Sequence, residues 1–469
     1  MAVLLAMLNL GSAHHRHVLR VRSGVCALSA SKLSATTTPS GSGSTLFNTG
    51  ERTMKSHTLA ATAACTLSAL AFGLSSAYAA PTQINALFMT QAAYSENDIR
   101  AMTADFSKQH PDITVNLEFV PYEALHDKIV AARGAGSNGY DVVLFDAIWP
   151  AEFTKFGLLQ DVTARISADD SAKIFAGAMT TVTYKDKRWG MPWILDTKYL
   201  YYNKAMLAKA GITAPPQTWQ ELAQQAEILK QKNVVKYPLV WSWSQAEALV
   251  CDYTTLVSAF KGQFVQQGKI TFSSPGSLQA VDYMKASLDK GLTNPNSREY
   301  LEEDVRKAFS NGDAAFALNW TYMYNMANDP KQSKVAGDVG IVPAPGSVAG
   351  QVSAVNGSMG LGIAKASAHP DQAWQYISYM TSQPVQDKYA KLSLPIWKSS
   401  YDDPAVQKGQ EPLIAAAKQS LNVMLSRPET ADYSRLSNGL QQDLQQILQG
   451  KVTPQAGLEA ATQSAARLR

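Results

Sequence analysis

Cysteine is scarce in this chain: Cys26, Cys65 and Cys251 are all that its 469 residues contain. A disulfide framework needs more, so the fold must be held by its hydrophobic core. Histidine is nearly as rare. Beyond residue 79 there are only His110, His126 and His369, at spacings unlike those of metal ligands, and no metal site is expected. There is no Gly-x-Ser-x-Gly elbow and no phosphate-binding glycine loop ending in Lys-Ser or Lys-Thr. A surplus of one charge is missing too. Six basic residues and one acidic residue lie within residues 1–55, which leaves 36 basic against 37 acidic in the rest. A body so balanced offers no face for nucleic acid, whose backbone demands a basic one. What is present is ordinary globular material, 46% hydrophobic and 17% charged, which excludes disordered and collagen-like classes.

The start of the chain carries an export signal. Met54-Lys55 opens a short basic region, Leu59 to Leu74 is a small and apolar run, and Ala77-Tyr78-Ala79 supplies the A-x-A pattern before Ala80. The run is rich in Ala, Ser and Thr and falls short of the roughly 20 strongly apolar residues that a membrane span needs. Residues 54–79 therefore read as a cleaved signal peptide, and a periplasmic location follows. Residues 1–53, with the His14-His15-Arg16-His17 cluster, read as an upstream, non-native extension. A lipoprotein start at Cys65 lacks the usual leucine. Once the signal is removed Cys251 stands alone, so no internal disulfide can form.

Beyond Ala80 about 390 residues remain, enough for two cores rather than one. Gln83 to Thr90 reads as a strand, and Ser95 with Asp98 as a helix start. Ile99, Met102 and Phe106 follow at helical spacing until Pro111, and Ile113, Val115, Leu117 and Phe119 alternate as a strand. A second helix covers Tyr122 to Arg133 and ends at Gly134-Ala135-Gly136. Tyr140 to Phe145 then forms an apolar run suited to a buried parallel strand. This β-α-β-α-β order predicts a doubly wound sheet, with ligands beyond the carboxyl ends of its strands, near Asp146 and the loop holding Glu96. Thr218-x-x-Glu221 opens a later helix with Trp219, Leu222 and Leu229 inward, and the last hundred residues read as mainly helical. No repeat and no long linker is visible, so two lobes joined by crossing segments are expected.

Aromatic residues cluster at expected element ends: Trp241-Ser242-Trp243, Asn319-Trp320-Thr321-Tyr322 and Tyr199-Leu200-Tyr201-Tyr202. Sugars present apolar C–H faces and a rim of hydroxyls, so a sugar site combines aromatic plates with carboxylates and amides. Each residue also has a plainer reading. A tryptophan in an α/β protein is more often core than plate, and an aspartate that ends a strand is as often a helix cap. Asp146, Asp196 and Glu247 could also face one another as the acid pair of a glycoside hydrolase. The residues by themselves point to a soluble two-domain α/β binding protein or enzyme.

From Ala80 onward nearly the whole chain resembles the extracellular solute-binding proteins that serve carbohydrate ABC importers, most closely their trehalose/maltose/sucrose-type branch. The resemblance rests on motifs in series: Tyr140 to Phe153 around Asp146-Ala-Ile-Trp-Pro150, Gly190-Met-Pro-Trp-Ile-Leu-Asp196 to Lys204, and Thr218-Trp-Gln-Glu221-Leu. Glu247 to Asp252, Ala315 to Trp320, Asn356-Gly-Ser-Met-Gly-Leu-Gly-Ile363, Leu394-Pro-Ile-Trp-Lys398 and Arg427-Pro-Glu-Thr-Ala-Asp-Tyr433 continue it. It implies a type II periplasmic binding protein fold, two α/β lobes with hinge crossings. The expected division is residues 80–192 plus about 325–365 for lobe 1, and 193–324 plus about 366–469 for lobe 2. Carried over by position, Glu96 and Asp146 would bind the ligand's hydroxyls and Asp196 would sit by the hinge. Trp241 and Trp320 would stack on rings, Gly357 would let the backbone approach, and Trp243, Glu247, Asn319, Tyr322 and Trp397 complete the expected ligand-binding set. Trp397 stands where relatives often carry Arg, and Ala317-Leu318 where Arg often precedes the Asn-Trp pair. The implied function is import of a mono- or disaccharide without cofactor or catalysis, by a monomer that docks on permease subunits. A polyol, oligosaccharide or glycerol-phosphate receptor and a secreted glycoside hydrolase are the alternatives.

Overall fold

Local signals set the first elements. Ser95 caps a helix whose Asp98 accepts the Ser95 N–H at 3.0 Å, which is the expected capping box. Thr218 caps another by accepting the Glu221 N–H at 3.0 Å, but the Glu221 carboxylate reaches back one residue further, to the Gln217 N–H at 2.8 Å. The computed structural model describes residues 80–468 apart from 91–92 and 134–138, and these residues belong to one compact unit. The expected extension 1–53, the signal peptide 54–79 and the Gly134-Ala135-Gly136 stretch lie outside the described residues.

In chain order the strands of the two large sheets are β1 (Thr82–Met89), β2 (Ile113–Val120), β3 (Val142–Asp146), β4 (Met191–Ile194) and β5 (Tyr199–Asn203), followed by β6 (Leu239–Val240), β7 (Phe316–Asn319), β8 (Val339–Pro345), β9 (Val352–Ser353) and β10 (Met359–Ile363). The helices that frame the site are α1 (Glu96–Gln109), α2 (Tyr122–Ala132), α3 (Pro150–Lys155), α4 (Trp219–Gln231), α5 (Glu247–Ala259), α6 (Glu302–Asn311), α7 (Pro370–Thr381), α8 (Glu411–Ser420) and α9 (Tyr433–Leu448).

Two five-stranded sheets result, in the orders β2-β1-β3-β10-β4 and β9-β8-β5-β7-β6. The first begins as expected, with β1 parallel to both β2 and β3. The late strand β10 then enters antiparallel between β3 and β4, with Met359 opposite Asp146. Every residue of β3 is buried, as its continuous apolar run predicts for a central strand. Helices flank both sheets, so the mixed α/β, two-sheet architecture is as expected.

The division between the lobes differs from the expected one. Strand β8 pairs antiparallel with β5, so 339–353 belongs to the second sheet rather than to lobe 1. Helix α7 instead packs on the first sheet, where the Thr103 and Tyr376 hydroxyls meet at 2.6 Å and Phe106 lies edge-on to Tyr376. The local pattern of a strand or helix does not say which sheet it joins. Only long-range pairing decides that.

The chain passes between the sheets through 195–198, through 354–358 and again between α7 and α8. The first two passages are laced together. Gly357 N–H donates to the Asp196 carbonyl at 3.1 Å, and Val355 N–H to Thr197 Oγ1 at 3.1 Å. A third stretch runs beside them, since Leu425 N–H donates to the Ala354 carbonyl at 2.9 Å and Asn356 N–H to the Leu425 carbonyl at 3.0 Å.

Candidate ligand-binding site

A cleft of about 530 Å³ opens where the two sheets face each other across these passages. One wall is made by the carboxyl ends of β1, β3 and β4, through Met89, Asp146 and Ile194. The other is made by the amino-terminal turns of α5 and α6, the residues after β7, and α9. The first wall is where ligands of doubly wound sheets sit.

Of the residues singled out in the sequence, Asp146, Asp196, Glu247, Trp320, Tyr322 and Gly357 lie in the cleft wall. Five others do not. Glu96 is in the outward first turn of α1, half-exposed, with Arg100 at 3.7 Å. Trp241 and Trp243 stack face to face inside the second lobe, centroids 5.4 Å and planes 2° apart, with the Trp241 indole N–H on Thr293 at 2.9 Å. Asn319 is buried, donating to the Glu302 carbonyl at 2.9 Å and accepting the Trp320 N–H at 2.8 Å. Trp397 is buried against the first lobe, its indole N–H on the Thr381 carbonyl at 2.9 Å. Local partners or the core hold these side chains, although the buried Trp243 indole N–H has no hydrogen-bond partner among the described residues.

The centre of the cleft is Arg427, which the motif quoted above contains but which was not singled out. Its guanidinium is 1% exposed and joins both lobes: one nitrogen lies 2.9 Å from Asp146 and 3.1 Å from the Asn356 carbonyl, the other 2.7 Å from Glu247. Asp146 also accepts the Tyr122 hydroxyl at 2.9 Å and the Ile148 N–H at 3.2 Å. Glu247 accepts the Tyr433 hydroxyl at 2.6 Å and the Ser437 hydroxyl at 2.5 Å. Burial acts against the Arg427 cation, but Asp146 and its neighbours outweigh it and hold the group firmly charged.

Trp320 presents its ring to the cleft. Its indole N–H donates to Glu302 at 3.1 Å, and Gly357 lies against the ring edge. A Cβ at residue 357 would come within 2.3 Å of that ring, so the glycine makes room for Trp320 rather than for the ligand directly. On the facing wall, Tyr122 stacks on Trp149 with centroids 5.8 Å apart. His126 bridges Glu152 and Asp127, each at 3.1 Å. Burial lowers the His126 pKa, but these two carboxylates outweigh it and the net shift is upward.

Asp196 sits at the hinge. One of its oxygens accepts the Thr197 N–H at 2.9 Å, the Thr321 N–H at 3.2 Å and the Thr321 hydroxyl at 2.5 Å. Burial pushes its carboxyl up to about 7, and the Thr321 and Thr197 donors pull the other way. An aspartate that titrates near 3.9 when unfolded and about 7 when folded binds more protons in the folded state between those values. Stability then rises as pH falls through that window. The melting temperature is expected to climb from pH 8 towards pH 5, with a shallower climb in Asp196→Asn. Equal slopes in thermal scans would show that Asp196 does not titrate there.

Among the described residues no group of three or more His, Cys, Asp or Glu could hold a metal ion. No helix among them is long and apolar enough to cross a membrane.

Comparison with known proteins agrees with this architecture. Residues 92–387 match the family model of bacterial extracellular solute-binding proteins. A Deinococcus radiodurans protein named "Probable ABC transporter-binding protein" is 28% identical over 86% of this chain and 98% of its own. Maltose-bound MalE3 of T. maritima superposes with a TM-score of 0.76 at 29% identity, covering 82% of this chain and 99% of that one. A ribitol-bound solute-binding protein of Agrobacterium radiobacter K84 shares the fold, with a TM-score of 0.74 at 22% identity over 83% and 99% of the two chains. With its two sheets, hinge passages and central cleft, the chain belongs to the bacterial extracellular solute-binding protein family.

Proposed function

We propose that the protein is the exported receptor of an ABC import system and binds an uncharged mono- or disaccharide, or a polyol of similar size, in the cleft between its sheets. The observation that carries this reading is the pairing of one aromatic plate, Trp320, with carboxylates from both lobes around a cavity of about 530 Å³. That volume is in the range of small-molecule sites, and carboxylates accept strongly from hydroxyls. A phosphorylated ligand fits poorly. Among the described residues the only basic ones in the wall are Arg427 and His126, and each already faces two carboxylates. The named ligands of the similar proteins, maltose and ribitol, are both polyhydroxylated and uncharged.

Closure on a ligand needs contacts that exist only in the shut state. Residues from both walls around one cavity provide them. Docking of the closed form on permease subunits, a monomeric state, and export through the segment 54–79 complete the proposal. One observation favours a second reading: Asp196, its carboxyl pushed up to about 7 by burial, shares the cleft wall with Asp146 and Glu247, and a glycosidase acid needs such a raised carboxyl. Calorimetric titration against mono-, di- and trisaccharides and polyols, with product analysis of every mixture, tests both. The expected result is one-to-one binding with the sugar recovered intact. Cleaved sugar would establish the hydrolase, and no binding across the panel would overturn the receptor reading.

A further inference from the structure

We infer that Lys198 is a positioning residue for the ligand plate: acting through Glu302, it fixes the plane of Trp320 and so sets the affinity of the cleft. This rests on the reading of the cleft as a sugar site. Lys198 is fully buried in the hinge passage between β4 and β5. Its ammonium touches Asp252 at 2.5 Å, the Ser242 hydroxyl at 2.8 Å and the Ala248 carbonyl at 3.5 Å, with Glu302 at 3.4 Å. Burial acts against that ammonium, but Asp252 and Glu302 more than offset it, leaving Lys198 firmly cationic. An ion pair hidden at this depth is a poor stabiliser, because desolvation consumes the attraction. The pair's place in the fold suggests another role for it. Trp320 lines the cleft and Lys198 does not, and the ammonium stands 5.0 Å from the ring centroid, approaching from the protein side.

The same Glu302 oxygen that faces Lys198 accepts the Trp320 indole N–H. Asn319 ties the rest together, holding the Glu302 carbonyl with its amide N–H and the Trp320 N–H with its amide oxygen. Glu302 is the weak member of this set, because its side chain is 23% exposed and, beyond the Trp320 indole, is held by the ion pair with Lys198. Without the cation, Glu302 is free to turn to solvent. Trp320 then loses the charge behind its ring and its fixed acceptor together.

Lys198→Met alone would strand a buried Asp252, so the test uses Lys198→Met combined with Asp252→Asn, a neutral pair. The protein, labelled with fluorotryptophan at its nine tryptophans, gives a fluorine NMR line for Trp320 that Trp320→Phe identifies by its loss. In the double variant the Trp320 line is expected to shift while those of Trp374 and Trp189 hold. Affinity for the tightest ligand of the calorimetric panel is expected to fall about tenfold, and that fall should vanish in a Trp320→Phe background. An unmoved Trp320 line in the folded double variant, or an equal loss of affinity without Trp320, overturns the inference. If the double variant fails to fold, Glu302→Gln leaves the buried pair intact and must move the same line; an unmoved line there also overturns it. The spectral arm needs no ligand. Wild-type protein that binds nothing in the panel would therefore overturn the sugar reading and leave the Trp320 line to decide this one.

Discussion

Arg427→Met is expected to lower folding stability by about 3–5 kcal/mol, because it strands Asp146 and Glu247 in a buried site with their common cation removed. Methionine preserves much of the side-chain length and isolates the charge and the hydrogen bonds. Arg427→Lys is expected to fall between, because an ammonium cannot hold two carboxylates and a carbonyl with one planar fork. Urea unfolding of both variants measures this. A change under about 1 kcal/mol would mean that the triad balances its own desolvation, as some buried ion networks do.

The second large effect concerns the plate. Gly357→Ala places a methyl 2.3 Å from the Trp320 ring, whose indole N–H and backbone are both tied down. The ring must swing off its position or the hinge passage must move. Either costs the cleft its stacking surface, and affinity is expected to drop by about 2 kcal/mol, roughly thirtyfold. The fold should survive, since the ring has the cleft to move into. Calorimetry with the panel's tightest ligand gives the affinity and a thermal melt gives the fold. Unchanged affinity would show that Trp320 carries little of the binding.

The sequence made some of this legible. Strand β3 could be read because its continuous apolar run suits a buried central strand, whereas its terminal Asp146 was legible only as either a helix cap or a cleft residue. The capping box at Ser95 and the cap at Thr218 were readable for a similar reason, since both are contacts within four residues. The aromatic plates were not separable. Trp241, Trp243 and Trp320 look alike in the sequence, and only packing reveals that two of them stack in the core while the third lines the cleft. Arg427 is the instructive omission. Its motif contributed to the family resemblance, yet its partners lie 180 and 281 positions away, and no local pattern marks an arginine as a bridge. Lobe membership of 339–353 and of α7 failed likewise, because sheet pairing over long separations has no local signature.

The late insertion of β10 has a consequence for how this chain is made. Its partner β3 ends at Asp146, and β10 begins at Met359, more than two hundred residues later. At a synthesis rate of about 5–20 residues per second, one flank of β3 waits roughly 10–40 s for its neighbour. During that interval the first sheet is an open edge with unpaired N–H and C=O groups, a template for any other nascent strand. A ribosome-bound chain halted before Met359 would expose this edge permanently. Such arrested chains should aggregate or hold a chaperone, whereas full-length chains should not, so the order of the strands assigns this protein a window of vulnerability that its finished form conceals.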